Sequence, residues 1–64
     1  MENTDDLKAE IKRLNSRATA LKMDLHDLAE DLPTGWERIM EVAGQTFTTY
    51  EQLAAAKSRL AQAE

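Results

Sequence analysis

From Leu7 the apolar residues recur at Ile11, Leu14, Ala18, Leu21, Leu25, Leu28 and Leu32, in steps that alternate between four and three. That is a heptad seam, with Leu7, Leu14, Leu21 and Leu28 at d and Ile11, Ala18, Leu25 and Leu32 at a. Glu10, Asn15, Arg17, Lys22 and Asp24 flank it, so the stripe is narrow and calls for a partner helix rather than burial on all sides. Asn3 or Thr4 can cap its start, and Asp5 and Asp6 suit the positive end of the helix dipole. Pro33 cannot continue the helix and pushes Leu32 out of helical geometry, so the first helix is predicted over about 4–31.

A second helix follows at once. Thr34-Gly35-Trp36-Glu37 reads as a capping box, with Thr34 as N-cap and Glu37 reaching back. Its predicted seam is Trp36, Ile39, Ala43, Thr46, Tyr50, Leu53, Lys57 and Leu60, with Met40, Phe47, Ala54 and Ala61 in a row beside it. Gly44 lies mid-helix at a cost of about 1 kcal/mol against alanine; a close helix approach at Ala43 and Gly44 accounts for it better than a hinge does. Lys57 should carry its ammonium outward or meet a carboxylate across an interface.

The fold class is therefore all-α: helix 4–31, turn 32–35, helix about 35–62, closed as an antiparallel hairpin of coiled-coil type forming a single domain over 1–64. A chain of 64 residues without cysteine has no disulfide or thiolate–metal staple, and such chains rely on helix packing or oligomerisation. Each helix spans about 40 Å, and a lone hairpin leaves one side of its seam wet. A homodimer forming a four-helix bundle is expected. Helix one is basic between Lys8 and Lys22, whereas Asp24 to Glu37 is acidic, so antiparallel hairpins would set unlike charges side by side.

The net charge of −4 argues against nucleic acid or an anionic membrane as partner. The basic stripe of helix one is interleaved with the seam and lacks stacking aromatics. The acidic start MENTDD is no secretory signal, and no run approaches the roughly 18 apolar residues of a membrane span, so a cytoplasmic protein is expected. One histidine, no glycine-rich phosphate loop and no zinc motif leave catalysis without support, and a non-enzyme is expected.

The functional candidates gather at the corner, Met23 to Glu37, which holds the only histidine, proline and tryptophan. Asp27, Glu30 and Asp31 crowd the last turn of helix one, where the dipole disfavours anions by roughly 0.3–1 kcal/mol each. They invite a cation, either a basic partner surface or a metal. His26 and Glu30, four apart on one helix face, could give two ligands to a divalent transition metal, with Asp27 adjacent and Met23 offering a thioether. The plainer reading is a surface histidine paired with Glu30 or Asp27. Trp36 reads as a plug packing on Leu28 or Leu32, or else as an exposed anchor for a partner.

The residues Lys12, Leu14, Asn15, Ala18, Lys22 through Thr34, Trp36, Glu37, Ile39, Ala43, Thr46, Tyr50 and Leu53 resemble the pattern of the small Rop-like proteins found among nitrogen-fixation genes. The likeness covers most of the chain, is most specific over Met23–Trp36, and departs mildly at Arg13 and Phe47; Ala54–Glu64 is generic helix. It implies an antiparallel hairpin that oligomerises, a cytoplasmic setting, and genes neighbouring those for assembly of the nitrogenase iron–molybdenum cofactor. Such proteins are sometimes labelled metalloproteins, which is consistent with His26. RNA binding does not follow from a shared hairpin shape. Three functions stand from the sequence: docking on nitrogenase or its assembly machinery through Asp27, Glu30, Asp31 and Trp36; metal binding or delivery through His26, Asp27 and Glu30; and a purely structural oligomerisation module.

Overall fold

Asn3 decides where the first helix begins. Its side-chain oxygen accepts the Asp5 N–H at 2.9 Å, satisfying a donor that has no partner inside the helix. Helix α1 then runs Thr4–Asp31, with Asp5 and Asp6 in its first turn. The computed structural model describes residues 3–64.

The corner is built by proline and glycine together. Leu32 is extended, at φ −56° and ψ 142°, and its bond to Pro33 is cis. The Thr34 N–H donates to the Asp31 carbonyl at 2.9 Å, and the Trp36 N–H to that of Pro33 at 3.3 Å. Gly35 takes φ +79°, a left-handed conformation that glycine adopts without penalty. A single 3₁₀ turn, Trp36–Arg38, leads into α2, Ile39–Ala63. The expected capping box does not form. A capping box needs Thr34 in extended backbone directly before the first helical residue; left-handed Gly35 occupies that place and makes no side-chain cap.

The two helices pack along most of their length as an antiparallel hairpin, and the described residues contain no strand. On α1 the whole d row, Leu7, Leu14, Leu21 and Leu28, is buried. Of the a row only Ala18 is buried; Ile11 and Leu25 are half-buried, and Leu32 is exposed in the turn. Leu14 and Ala18 meet Leu53 and Ala56 in the core cluster, with Ile11 against its edge. The two alanines, almost fully enclosed, let the backbones approach.

On α2 the face turned to α1 is Val42, Thr49, Leu53 and Ala56, with Thr46 and Leu60 half-buried. The seam predicted for this helix is therefore corrected. Leu53 is its one buried member, while Trp36, Ile39, Tyr50 and Lys57 are exposed. Two rows of four–three spacing run along α2 roughly 100° apart, and the predicted seam mixes them, taking Thr46, Leu53 and Leu60 from the row that meets α1 and Trp36, Ala43, Tyr50 and Lys57 from the more apolar one. The geometry of the turn sets the less apolar row, through Val42, Thr49, Leu53 and Ala56, against α1. Thr49 can enter the core because its hydroxyl donates to the Gln45 carbonyl at 2.8 Å, as Thr46 does to Val42.

Gly44 also differs from expectation. A Cβ there would meet nothing within 4 Å, so it marks no close helix approach within the chain. The open end of the hairpin carries Arg59 bonded to Glu10 at 3.2 Å and Lys8 paired with Glu64 at 3.6 Å. The Cα trace measures 47 × 15 × 12 Å. No helix among the described residues is long and apolar enough to cross a membrane.

Candidate functional site

The acidic corner divides into two faces. Asp24, Asp27 and Asp31 line a groove of about 270 Å³ with Leu28, Thr34, Gly35 and Arg38. They follow at three- and four-residue steps along one face of α1, and Leu28 supplies the apolar floor. A Cβ on Gly35 would come within 3.1 Å of Leu28 Cδ1, so the bare glycine backbone is what lets Leu28 close the corner. No basic residue stands in the last turn of α1. The opposing charge in the groove comes instead from Arg38, at the end of the 3₁₀ turn.

Glu30 lies outside this groove. Its Oε1 is 3.4 Å from His26 Nε2, and Asp27 Oδ1 is 3.8 Å from His26 Nδ1. These are ion pairs only when the imidazole is protonated. All three side chains are well exposed, so the pairing is weak, of the order of 0–1 kcal/mol. Among the described residues no three His, Cys, Asp or Glu side chains converge to hold a metal ion. A divalent metal on His26 and Glu30 would need the rest of its shell from elsewhere.

Trp36 does not plug the core, contrary to the expectation from its place beside the turn. It is 63% exposed. Met40, Phe47 and Tyr50 are exposed on the same side of α2, at 82%, 69% and 41%. Sequence reasoning brought together His26, Asp27, Glu30 and Asp31, which do lie at one end of α1, and missed Asp24 and Arg38. Asp24 is four residues before Leu28 on the groove side, a spacing that could have found it. Nothing in the periodicity points to Arg38, since its position depends on the 3₁₀ turn. Elsewhere, a groove of about 490 Å³ runs between Arg17 of α1 and Met40, Glu41, Gln45, Thr48 and Gln52 of α2.

The Rop-like family model matches residues 2–64. This chain belongs to the Rop-like family. It is 47% identical over 64 residues to a UPF0437 protein of Azorhizobium caulinodans, covering 100% of this chain and 93% of that one. A second relative, from Frankia alni, is named a UPF0437 protein in the nifX-nifW intergenic region; it is 51% identical over 55 residues, 83% of this chain and 67% of the relative. An NMR structure solved as a structural-genomics target has a TM-score of 0.89 and 61% identity, over 95% of this chain and 86% of that one. The Rop-like match accounts for the hairpin, and this is not a known enzyme family.

Proposed function

We propose that this Rop-like chain is a non-enzymatic accessory protein of nitrogen fixation, which docks through its acidic corner on nitrogenase or on the machinery that assembles its cofactor. The observation that carries this is the cluster Asp24, Asp27 and Asp31 at the negative end of α1, with no basic residue in that turn. Folding gains nothing from carboxylates there, and a basic partner surface would relieve them. Glu30 extends the acidic surface on its other flank, while Trp36 is exposed just past the turn and outside the groove. The setting comes from the Frankia relative, whose name places it between nifX and nifW. A cytoplasmic location goes with that setting.

A pull-down from nitrogen-fixing cells, probed for nitrogenase components, tests it. Recovery should fall to background when Asp27, Glu30 and Asp31 are all replaced by alanine. Unchanged recovery overturns docking at the corner and leaves a structural module, for which the corner is only a turn.

The 3.4 Å approach of His26 Nε2 to Glu30 Oε1 favours one further reading, metal binding or delivery. Calorimetry with divalent nickel, zinc or iron should then show heat that His26→Ala abolishes. Equal affinities for wild type and variant remove His26 as a ligand.

The exposed row of α2 belongs to a separate part of the proposal: a second copy of the chain covers it, giving a four-helix bundle. The groove of Asp24, Asp27 and Asp31 lies on the far side of the hairpin from that row and stays open to a partner.

A further inference from the structure

The flank of the hairpin that holds the acidic groove carries one row of seven-residue spacing from each helix. On α1 the row is Glu10, Arg17, Asp24 and Asp31, and on α2 it is Arg38, Gln45, Gln52 and Arg59. The bond from Arg59 to Glu10 sets their register. In an antiparallel pair Arg17 then stands level with Gln52, Asp24 with Gln45, and Asp31 with Arg38. At both ends of the flank, charge meets opposite charge: Glu10 is bonded to Arg59, and Asp31 shares its groove with Arg38. The middle is different. Arg17 and Asp24 stand level with neutral amides, and Arg17 makes no ion pair among the described residues. The two exposed charges are seven residues apart on one helix face, about 10 Å, too far to neutralise each other in salt.

Beside them α2 leaves a gap. The groove of about 490 Å³ between Arg17 and α2 passes over Gly44, with Gln45, Thr48 and Gln52 along its wall. A Cβ on Gly44 would meet nothing within 4 Å, so no packing inside the chain requires glycine. Its φ is not positive, so no turn requires it either. Glycine nonetheless weakens a helix interior relative to alanine. What it does supply is bare backbone, which a second helix can approach more closely than the usual roughly 8–10 Å between axes.

We infer that this flank seats one helix of a partner protein, which crosses α2 at Gly44. That helix presents a carboxylate to Arg17 and, one heptad along, a lysine or arginine to Asp24. The inference rests on the corner-docking reading above and adds the form and charge order of what docks. Asp31 lies a further heptad on, so the seat is continuous with the acidic corner and runs straight for about 21 Å from Arg17. Two antiparallel helices wall it, which is the kind of groove into which a third helix packs. A heptad keeps both partner charges on one helix face and matches the spacing of Arg17 and Asp24. Gln45 and Gln52 can donate to the carboxylate or accept from the cation, so they add contacts to either. The reverse charge order would set like against like.

The full-length chain as bait in extract of nitrogen-fixing cells, with nitrogenase components quantified, tests the seat. Gly44→Leu should resist urea at least as well as wild type, because leucine favours helix and its side chain enters open space. It should nevertheless recover about tenfold less of those components, or lower still. Arg17→Glu should lose as much, and Arg17→Lys should keep most of the recovery, since the charge is what the partner reads. Full recovery with Gly44→Leu and Arg17→Glu, while the Asp27, Glu30 and Asp31 triple variant stays at background, overturns the helix seat and leaves corner docking standing. A loss confined to Gly44→Leu overturns the charge matching. No recovery by wild type removes the corner reading and the seat with it. A change in sedimentation mass of Gly44→Leu in place of lost recovery assigns the flank to a second copy and overturns the partner helix.

Discussion

At the scale of single residues, Gly35 and Thr49 show how backbone geometry decides identity. Gly35 holds φ +79° with Leu28 Cδ1 3.1 Å from where a Cβ would be, so alanine meets both left-handed strain and a clash. Gly35→Ala should destabilise the protein by about 1–3 kcal/mol, read as a lower urea midpoint. Gly44 is the contrasting glycine, in right-handed helix with open space around its Cα. Gly44→Ala should stabilise by about 1 kcal/mol in the same assay, because only the helix propensity changes. Thr49 is buried, and its hydroxyl bonds a carbonyl that the helix ladder already serves. Thr49→Val keeps the shape and should alter stability by no more than about 1 kcal/mol, whereas Leu53→Ala, which opens a cavity in the core cluster, should cost about 2–5 kcal/mol. Equal effects of the two would show that Thr49 contributes more than packing. The site residues were legible at this scale as a list: one histidine and three carboxylates at the end of α1. Their division into a His26–Glu30 pair and an Asp24–Asp27–Asp31 groove was not, because it depends on where Arg38 comes round the turn.

At the scale of elements, α1 was readable almost residue by residue. Its single apolar row, the Asn3 cap and the Pro33 stop all point the same way, and consistency between local signals makes such a segment predictable. Helix α2 was readable as a helix but not as a face. It carries one row that meets α1 and another that does not, and Trp36, Met40, Phe47 and Tyr50 make the second the more apolar. The structure buries Val42, Thr49 and Ala56 instead. Small residues prevail there because the α1–α2 contact is close, with Ala18 and Ala56 at its centre. Ala56→Leu should therefore destabilise by about 1–3 kcal/mol through overpacking, despite adding apolar surface. Thermal unfolding followed by far-UV circular dichroism checks the sign; a gain in stability would mean that the helices are not held close there.

At the scale of the whole molecule, a hairpin 47 Å long and 12 Å thick has little interior, and its broad face keeps apolar side chains in water. If a second copy covers that face, stability depends on mass action, and the melting temperature should rise with protein concentration. A melting temperature constant over a hundredfold range would argue that the hairpin is stable alone. The amino-acid sequence by itself determined two helices, the break at Pro33, the antiparallel return and the acidic end of α1, because each follows from spacing or from the local chemistry of a few neighbouring residues. Only the tertiary structure decided which row of α2 meets α1, that Trp36 faces outward, and that Arg38 joins the aspartates. Those outcomes depend on a left-handed glycine and one 3₁₀ turn, which together set the rotation that is carried rigidly along the helix that follows.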